Sequence, residues 1–412
     1  MTASPAAAPA STRSILDRVP ELPRPLVLLE GPGGSTHLAW GAKSRRRLPW
    51  SAPADPSVLI PSPGARLYGV IAYEFGLPAR VSRRSPSVPQ PLVDLFEPEN
   101  LLILDAQGQV VRGLGPGARA WNRWSDAEAA EPPAPETSAA SWRSFTQPAF
   151  EAAVRRAQEH IAAGDIYQVN LSVAERWPLT PDPWPLYLRL RDINPSPWMG
   201  FADFGDWQLV CGSPELLVER TPQGLLRTRP IAGTRRKTGD PEADHRMREE
   251  LRLDEKERAE HLMLVDLARN DVGRLGKYGT VEVSEREVVE EYSHVFHLVS
   301  EVRGSERPGT DAAAVIASLF PGGTITGCPK IRAMEIIGDL EPVARGAYTG
   351  ALGWIGEREL QLNIVIRSAV VSEGQVVIQA GAGIVADSIP EREWKESLRK
   401  GAAVRTAFGV GP

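Results

Sequence analysis

Short apolar runs broken by Pro and Gly fill the first quarter of the chain and return after residue 165. Runs of this length between turn residues predict strands. In residues 166–173, polar and apolar side chains alternate from Gln168 onward, so Gln168, Asn170 and Ser172 share one face. Strands are predicted at residues 26–29, 58–60, 67–73, 101–104, 166–173, 207–211, 216–220, 225–228, 281–283, 348–355, 360–371 and 375–380.

Helical spacing occurs in a few separate segments. In residues 147–163, Phe150, Val154 and Ala157 form one apolar stripe, and Gly164 ends the pattern. Further helices are predicted at residues 240–268, 329–337 and 390–408. Many strands with a few long, separated helices indicate an α+β fold. We expect largely antiparallel β-sheets packed as a sandwich, with the helices outside.

Composition suggests where the chain divides. Residues 1–20 are rich in Ala, Ser and Pro and predict a disordered arm, because they bury too little surface to offset the entropy of ordering. Residues 21–124 form a β-rich subdomain. Residues 125–144 contain SDAEAAEPPAPETSAAS, which is typical of a linker. Residues 145–412 form the second and larger unit, with the boundary near residue 140.

Charge and cysteine content exclude several classes of protein. The 412 residues carry a formal net charge of −5, from 47 Lys and Arg against 52 Asp and Glu, so the basic excess of a nucleic-acid binder is missing. The two cysteines, Cys211 and Cys328, lack metal-ligand spacing and argue against a disulfide framework. No run of 18 apolar residues and no secretion signal are evident. We expect a cytoplasmic location without membrane insertion.

Two pairs of acidic residues have helical spacing. Glu257 and Glu260 are three residues apart, and Glu393, Glu396 and Lys400 repeat that arrangement near the end of the chain. Four oxygen donors suit a hard cation such as Mg²⁺. The alternative is that each pair lies on a solvated helix face, where most charged residues are found.

Several other residues are candidates for substrate binding or acid catalysis. Arg367 lies in an apolar run, where a planar anion or a structural salt bridge would balance its charge. The Gly381-Ala382-Gly383 segment is predicted to be a turn whose amides hold an anion. Glu215 is either a desolvated acid or a surface turn residue. His297 is either a site residue or a core histidine.

Residues 145–408 resemble the chorismate-binding domain that is shared by anthranilate, aminodeoxychorismate, isochorismate and salicylate synthases. The matching segments are long, and chance agreement across all of them is negligible. They are Gly164-Asp-Ile-Tyr-Gln-Val-Asn-Leu-Ser, Asn194-Pro-Ser-Pro-Trp-Met, Gly212-Ser-Pro-Glu-Leu-Leu-Val, Arg229-Pro-Ile-Ala-Gly-Thr, Glu260-His-Leu-Met-Leu-Val-Asp-Leu-Ala-Arg-Asn-Asp, Tyr292-Ser-His-Val-Phe-His-Leu-Val-Ser, Pro321-Gly-Gly-Thr-Ile-Thr-Gly-Cys-Pro-Lys and Gly381-Ala-Gly-Ile-Val-Ala-Asp-Ser.

The resemblance implies a role for each candidate residue. Glu215 would protonate a leaving hydroxyl, His297 would orient the substrate, and Gln168 would favour ammonia, since water-using relatives carry lysine there. Mg²⁺ would be held against the ring carboxylate of chorismate by Glu257, Glu260, Glu393 and Glu396. The substrate would be bound by Ala232, Gly233, Thr234, Thr326, Tyr348, Arg367, Gly381, Ala382, Gly383 and Lys400.

The resemblance leaves the product open between two subgroups. Ala232 favours anthranilate synthases, because many aminodeoxychorismate synthases carry a nucleophilic lysine at that position. The segments around Gln168, Thr326, Tyr348 and Arg367 favour component I of aminodeoxychorismate synthases, which is our expectation. No Gly-x-Cys-x-Gly motif is present, so ammonia would come from a glutaminase partner. A catalytically silent binding subunit is the third alternative.

Overall fold

The computed structural model describes residues 16–119, 141–179 and 182–411. The strands are β1 (Leu26–Glu30), β2 (Thr36–Leu48), β3 (Arg66–Ile71), β4 (Val93–Leu104), β5 (Val110–Leu114), β6 (Trp142–Arg143), β7 (Gln168–Pro178), β8 (Trp198–Asp203), β9 (Trp207–Ser213), β10 (Leu216–Arg220), β11 (Leu225–Thr228), β12 (Ile231–Arg236), β13 (Glu282–Glu291), β14 (Val295–Ser305), β15 (Gly327–Cys328), β16 (Ala351–Gly356), β17 (Leu360–Ile364), β18 (Ser368–Ser372) and β19 (Gln375–Ile384). The helices are α1 (Gly115–Arg119), α2 (Gln147–Ala162), α3 (Pro183–Ile193), α4 (Pro241–Leu253), α5 (Glu255–Gly273), α6 (Ala312–Leu319), α7 (Lys330–Leu340), α8 (Pro390–Lys400) and α9 (Ala402–Phe408).

The strands form one continuous antiparallel ladder. Hydrogen-bonded neighbours follow the order β7, β19, β18, β9, β8, β1, β2, β4, β3, β16, β17, β10, β11, β14, β13. Strand β5 extends from β4, β12 pairs with β14, and β6 and β15 pair with the free edge of β7. Antiparallel strands with separate helices confirm the predicted α+β fold.

The early strands lie in the middle of this ladder. Strand β1 pairs with β8, and β3 pairs with β16, so strands from both predicted units share one sheet. Leu16 and Val19, within the predicted arm, are buried in the core. Residues 1–15 and 120–140, which hold the rest of the arm and most of the predicted linker, lie outside the described residues. The boundary near residue 140 stays a prediction.

Two predicted helices are each divided in two. The predicted helix at residues 240–268 ends at Leu253, and α5 begins after Asp254, whose side chain accepts the Glu257 amide at 3.0 Å. A side chain that caps an amide in this way starts a new helix. The predicted helix at residues 390–408 breaks at Gly401, between α8 and α9. The split at Asp254 places Glu257 in the first turn of α5.

Two other predictions around the candidate site are corrected. The predicted strand at residues 360–371 consists of β17 and β18, and Arg367 lies in the break between them with φ at 50°. The predicted turn at Gly381 to Gly383 is the end of strand β19, where Gly381 pairs with Ser172 and Gly383 with Asn170. The ladder with β7 continues to Ile384, so the segment is extended and the turn follows it.

Across the three described ranges, no helix has both the length and the apolar character needed to cross a membrane.

Candidate active site

Glu215 is a buried carboxyl group between strands β9 and β10. Its residue is 5% exposed, and the Ile231 amide donates to one carboxyl oxygen at 3.4 Å. Burial raises the pKa of Glu215 to about 7, although the Thr324 hydroxyl and the Arg367 and Lys400 cations act in the opposite direction. A carboxyl group with this pKa is partly protonated near neutral pH and is suited to general acid catalysis.

His297 lies next to Arg367 on strand β14. Arg367 Nη2 donates to His297 Nε2 at 3.2 Å, and His297 Nδ1 lies 3.1 Å from Thr234 Oγ1 and 3.2 Å from Gly233 O. Burial and the Arg367 cation lower the pKa of His297 to about 3, so the ring is neutral. Since Nε2 accepts, Nδ1 carries the proton. The ring therefore holds Arg367 in place without adding charge.

Arg367 and Lys400 form a cationic wall beside Glu215. Among the described residues, no carboxylate lies within ion-pair distance of Arg367, and Lys400 Nζ lies 3.9 Å from Glu396. Loss of water lowers the pKa of both groups. The Lys400 side chain is nonetheless 47% exposed, so a ligand from solvent can reach its amine. Two cations of which one lacks a carboxylate partner favour an anionic ligand.

A bulge in strand β12 brings the sheet close to helix α5. The register shifts between Ala232 and Thr234, and Gly233 has φ at 65°. A Cβ atom on Gly233 would lie 2.8 Å from Leu251 and 3.1 Å from Glu257 Oε2. Only glycine fits this conformation and this close approach. The bulge thus brings strand β12, with Ala232 and Thr234, close to Glu257 on helix α5.

The four glutamates of the predicted metal site lie on helices α5 and α8. Glu257 accepts Arg235 Nη1 at 3.0 Å, and Glu260 lies 3.9 Å from Lys256 Nζ. Burial raises the pKa of Glu260 to about 7, and Glu257 and Glu393 raise it further. Within residues 16–119, 141–179 and 182–411, no three acidic, histidine or cysteine side chains are arranged to ligate one ion. The four predicted glutamates therefore do not converge on one point in this structure.

The two ends of the acidic site differ in their counter-charges. Lys256 Nζ pairs with Asp387 at 2.9 Å, which links helix α5 to the turn before helix α8. Burial raises the pKa of Glu393. Glu396 pairs with Arg399 at 2.5 Å on the same helix. A protein lysine therefore lies among the carboxylates that are the candidate cation ligands.

Two predicted substrate contacts lie deeper than the cationic wall. Tyr348 is buried, and burial raises the pKa of its hydroxyl. Thr326 is fully buried, and its hydroxyl donates to Gly322 O at 2.8 Å. This bond stabilises the segment before β15, so the structure gives the Thr326 hydroxyl a backbone partner. Ala382 is buried opposite Leu171 in the β7–β19 ladder.

The sequence analysis missed a buried charged network behind Tyr348, here called the Arg345 knot and made of Glu74, Glu341 and Arg345. The Arg345 guanidinium donates to Glu341 at 2.7 and 2.9 Å, and to the carbonyls of Ile325 and Asn170 at 2.8 Å each. Glu74 accepts the Arg345 and Gly346 amides at 2.7 and 3.0 Å. Glu341 and Arg345 follow the end of helix α7 at Leu340, so no helical spacing in the sequence indicated their pairing.

The chain matches the family model described as chorismate binding enzyme over residues 35–406. Aminodeoxychorismate synthase component 1 of Bacillus subtilis (strain 168) is 50% identical over 275 residues, which cover 66% of this chain and 58% of that protein. Anthranilate synthase component 1 of Thermus thermophilus is 44% identical over 356 residues, covering 82% and 77%. The chain thus spans less than two thirds of the length of the Bacillus relative.

The same family is found among solved structures. Anthranilate synthase component I from Streptococcus pneumoniae TIGR4 superposes with a TM-score of 0.78 at 29% identity, covering 90% of this chain and 92% of that one. The match to the family model covers most of the chain, and the fold agrees. This chain therefore belongs to the chorismate binding enzyme family.

Proposed function

We propose that the chain is component I of an aminodeoxychorismate synthase, which aminates chorismate with ammonia to give 4-amino-4-deoxychorismate on the route to p-aminobenzoate and folate. The observation that carries the proposal is the position of Arg367 and Lys400, two cations beside the buried acid Glu215. Chorismate brings the matching features, which are carboxylates and a ring hydroxyl that must leave. The relative from Bacillus subtilis supports this subgroup.

The chain's own residues supply binding and a proton. Arg367 and Lys400 bind the enolpyruvyl carboxylate, and His297 keeps Arg367 oriented. Glu215, protonated at its raised pKa, donates its proton to the leaving ring hydroxyl, which departs as water. Tyr348, which is buried, contributes to binding the enolpyruvyl carboxylate. Thr234 and the Gly233 bulge shape the side that faces the ring.

The acidic site fits Mg²⁺ in its charge and in its donor atoms. Glu257, Glu260, Glu393 and Glu396 supply only carboxylate oxygens, which a hard cation prefers. Burial raises the pKa of both Glu260 and Glu393 although nearby lysines act in the opposite direction, so a cation at this site would favour their ionised forms. Bound Mg²⁺ would neutralise the ring carboxylate of chorismate. We expect Glu260→Gln and Glu396→Gln each to abolish turnover and Mg²⁺ binding, measured by calorimetry, with unchanged melting temperatures; retained turnover in both would remove this assignment.

Ammonia is proposed to come from a glutaminase subunit. The Bacillus and Thermus relatives are both named component 1, which implies a second component in those systems. The sequence of this chain contains no Gly-x-Cys-x-Gly motif for releasing ammonia from glutamine. The isolated chain should therefore use ammonium salts but not glutamine. Turnover with glutamine alone would contradict the need for a partner.

Anthranilate synthase component I is the second candidate, and Ala232 favours it. An alanine at this position has no amine for a covalent step at ring carbon 2. The long match to the Thermus anthranilate synthase component 1 supports the same alternative.

One product analysis separates these functions. The purified chain would be incubated with chorismate, ammonium and Mg²⁺, and the products identified by mass spectrometry. A non-aromatic amino compound that an added lyase converts to 4-aminobenzoate would support the first proposal. Fluorescent anthranilate with release of pyruvate would establish the second. Absence of turnover at high ammonium would favour a catalytically silent binding subunit.

A further inference from the structure

A small cavity adjoins Glu215, the buried acid of the candidate active site. Its volume is about 30 Å³, and its walls come from strands β10 and β17, helix α5 and the segment that precedes strand β15. Neither Arg367 nor Lys400 lines it. Since the cationic wall marks the side on which an anionic substrate binds, the cavity lies on a different side of the Glu215 carboxyl group.

The cavity has both the size and the polar groups that water needs. Side chains of Glu215, Thr324 and Asp271 are among those that line it. The Thr324 hydroxyl is near enough to lower the pKa of Glu215, yet its buried oxygen makes no hydrogen bond of good geometry to any described residue. A buried water needs roughly 10–15 Å³ and two to four polar partners. The cavity therefore has room for about two waters, one of which would be the missing partner of Thr324.

Asp271 lies where this cavity approaches the solvent. The residue also lines an open groove of about 730 Å³ between helix α5 and the start of helix α7. Asp271 Oδ2 accepts Lys330 Nζ at 2.7 Å, and burial raises the pKa of Asp271 although Lys330 and Arg274 act in the opposite direction. Asp271 thus adjoins the cavity on one side and the solvent of the groove on the other.

We propose that the cavity binds a short chain of water molecules that joins Glu215 to Asp271 past the Thr324 hydroxyl and returns a proton to Glu215 in each turnover. Water and hydroxyl groups both donate and accept hydrogen bonds, so each can pass a proton on. This inference rests on the proposed function and deepens it, because it shows how the acid is restored while substrate or product covers its other side.

The reaction consumes one proton of Glu215 in each turnover. The ammonia lone pair forms the C–N bond, the ring C–O bond breaks, and the oxygen takes the Glu215 proton and leaves as water. The product nitrogen keeps three hydrogens and a positive charge, which attracts the ionised Glu215 and holds the product. Asp271 then takes a proton from solvent in the groove and the water chain delivers one to Glu215. The neutral acid releases the product.

Thr324→Val removes the hydroxyl with little change of shape. The first turnover uses the proton that Glu215 already carries at pH 6, so its rate in a rapid-quench experiment should change less than twofold. Later turnovers need the returned proton, and their rate should fall about tenfold, equivalent to ~1.4 kcal/mol. The variant should therefore show a burst of product followed by slow turnover. A steady-state rate equal to that of the wild type would overturn the proposal.

Three further variants separate the water chain from local packing. Ala268→Val adds two methyl groups to the cavity wall, displaces water and should give the same burst. Asp271→Asn should give it at a lower melting temperature, since Lys330 loses its carboxylate partner. Ser318→Ala is the matched control, because Ser318 Oγ donates to the backbone oxygen of Asp271 at 2.7 Å but the residue does not line the cavity. A burst in this control as well would overturn the role of water.

A crystal structure keeps the test independent of turnover. The wild type should contain ordered water within hydrogen-bond distance of Glu215, Thr324 and Asp271, and Ala268→Val should lack it. A dry cavity in the wild type would overturn the proposal even if chorismate is aminated. Ordered water in a protein that does not consume chorismate would reject the proposed function while the water site stands.

Discussion

Two arginines near the candidate active site, the buried Arg345 and the half-buried Arg367, have different partners. Arg345 makes two bonds to Glu341 and two to backbone carbonyls, so its charge is balanced inside the protein. Arg367 contacts one neutral histidine nitrogen at 3.2 Å and has no carboxylate partner in the described part of the chain. Protein groups balance the charge of Arg345, whereas the charge of Arg367 has no carboxylate partner among the described residues. Burying a charge is costly, so a charge without a protein carboxylate partner indicates that an anionic ligand balances it.

The largest effect is expected from substitution of Glu215, the acid beside Arg367 and Lys400. We expect Glu215→Gln to lower kcat/KM by about 10³-fold, within the usual range for general acids, and to leave the melting temperature unchanged or higher. Since the protonated form of Glu215 is active and its pKa in the free protein is about 7, wild-type kcat/KM should fall as pH rises above 7. A pH–rate profile checks this, and an unchanged alkaline limb in the variant would contradict the role of Glu215.

Substitution in the Arg345 knot should instead lower the stability of the protein. Arg345→Met leaves Glu341 buried without its cation, and we expect the free energy of unfolding to fall by roughly 3–5 kcal/mol. Chemical denaturation measures this. Arg269→Met, which removes only an exposed pair with Asp266 at 2.9 Å, is the control and should change stability by less than about 1 kcal/mol. A loss of unfolding free energy as small as that of Arg269→Met would show that Arg345 does not stabilise the buried Glu341.

The open arginine should affect binding but not folding. Arg367→Met removes one partner of the enolpyruvyl carboxylate, and we expect kcat/KM for chorismate to fall about 10²-fold, equivalent to ~2.7 kcal/mol. The melting temperature should stay the same or rise, because an unbalanced buried cation is lost. Steady-state kinetics and thermal unfolding on the same sample separate the effects. A marked loss of stability would show that protein groups balance the charge of Arg367, as they do that of Arg345.

The smallest expected effect lies at the acidic site, where a lysine partly balances the carboxylates. Lys256→Met removes the ammonium from Glu260 and Asp387, and we expect Mg²⁺ to bind several-fold more tightly at pH 8, where the carboxylates are ionised. Calorimetry measures the affinity without turnover. Lys395→Met is the control, since Lys395 pairs with Glu391 on an exposed face of helix α8. Weaker Mg²⁺ binding in the Lys256→Met variant would show that Lys256 helps to form the site.

Local patterns predicted the fold class and many of the elements. Alternation identified strand β7 and placed Gln168, Asn170 and Ser172 on one face, because a strand has a fixed period of two. The division at Asp254 was not predicted, because the helical composition continues across it. The break at Arg367 could not be predicted, since nothing in an apolar run indicates a φ of 50°. It depends on tertiary contacts.

The site was predicted mainly by resemblance, and its electrostatics only in part. The high pKa of Glu215 depends on burial by distant segments, which the residues beside it do not reveal. The Arg345 knot joins Glu74 to Arg345 across 271 positions, so no local pattern indicated it. The extended path of Gly381 to Gly383 depends on the pairing partner β7. The glycines alone suggested a turn. Their pairing with strand β7 shows that side chains of that strand occupy the space where a Cβ atom would lie.

The central position of the first strands has a consequence for how the chain could be divided. Strand β1 aligns five residues with β8, and β3 aligns six with β16. A protease cut within residues 120–140 would leave two fragments that are still joined by main-chain hydrogen bonds on both sides. Co-expressed as separate polypeptides, the fragments should reassemble into one particle, whereas the C-terminal fragment alone would expose two uncovered sheet edges and aggregate.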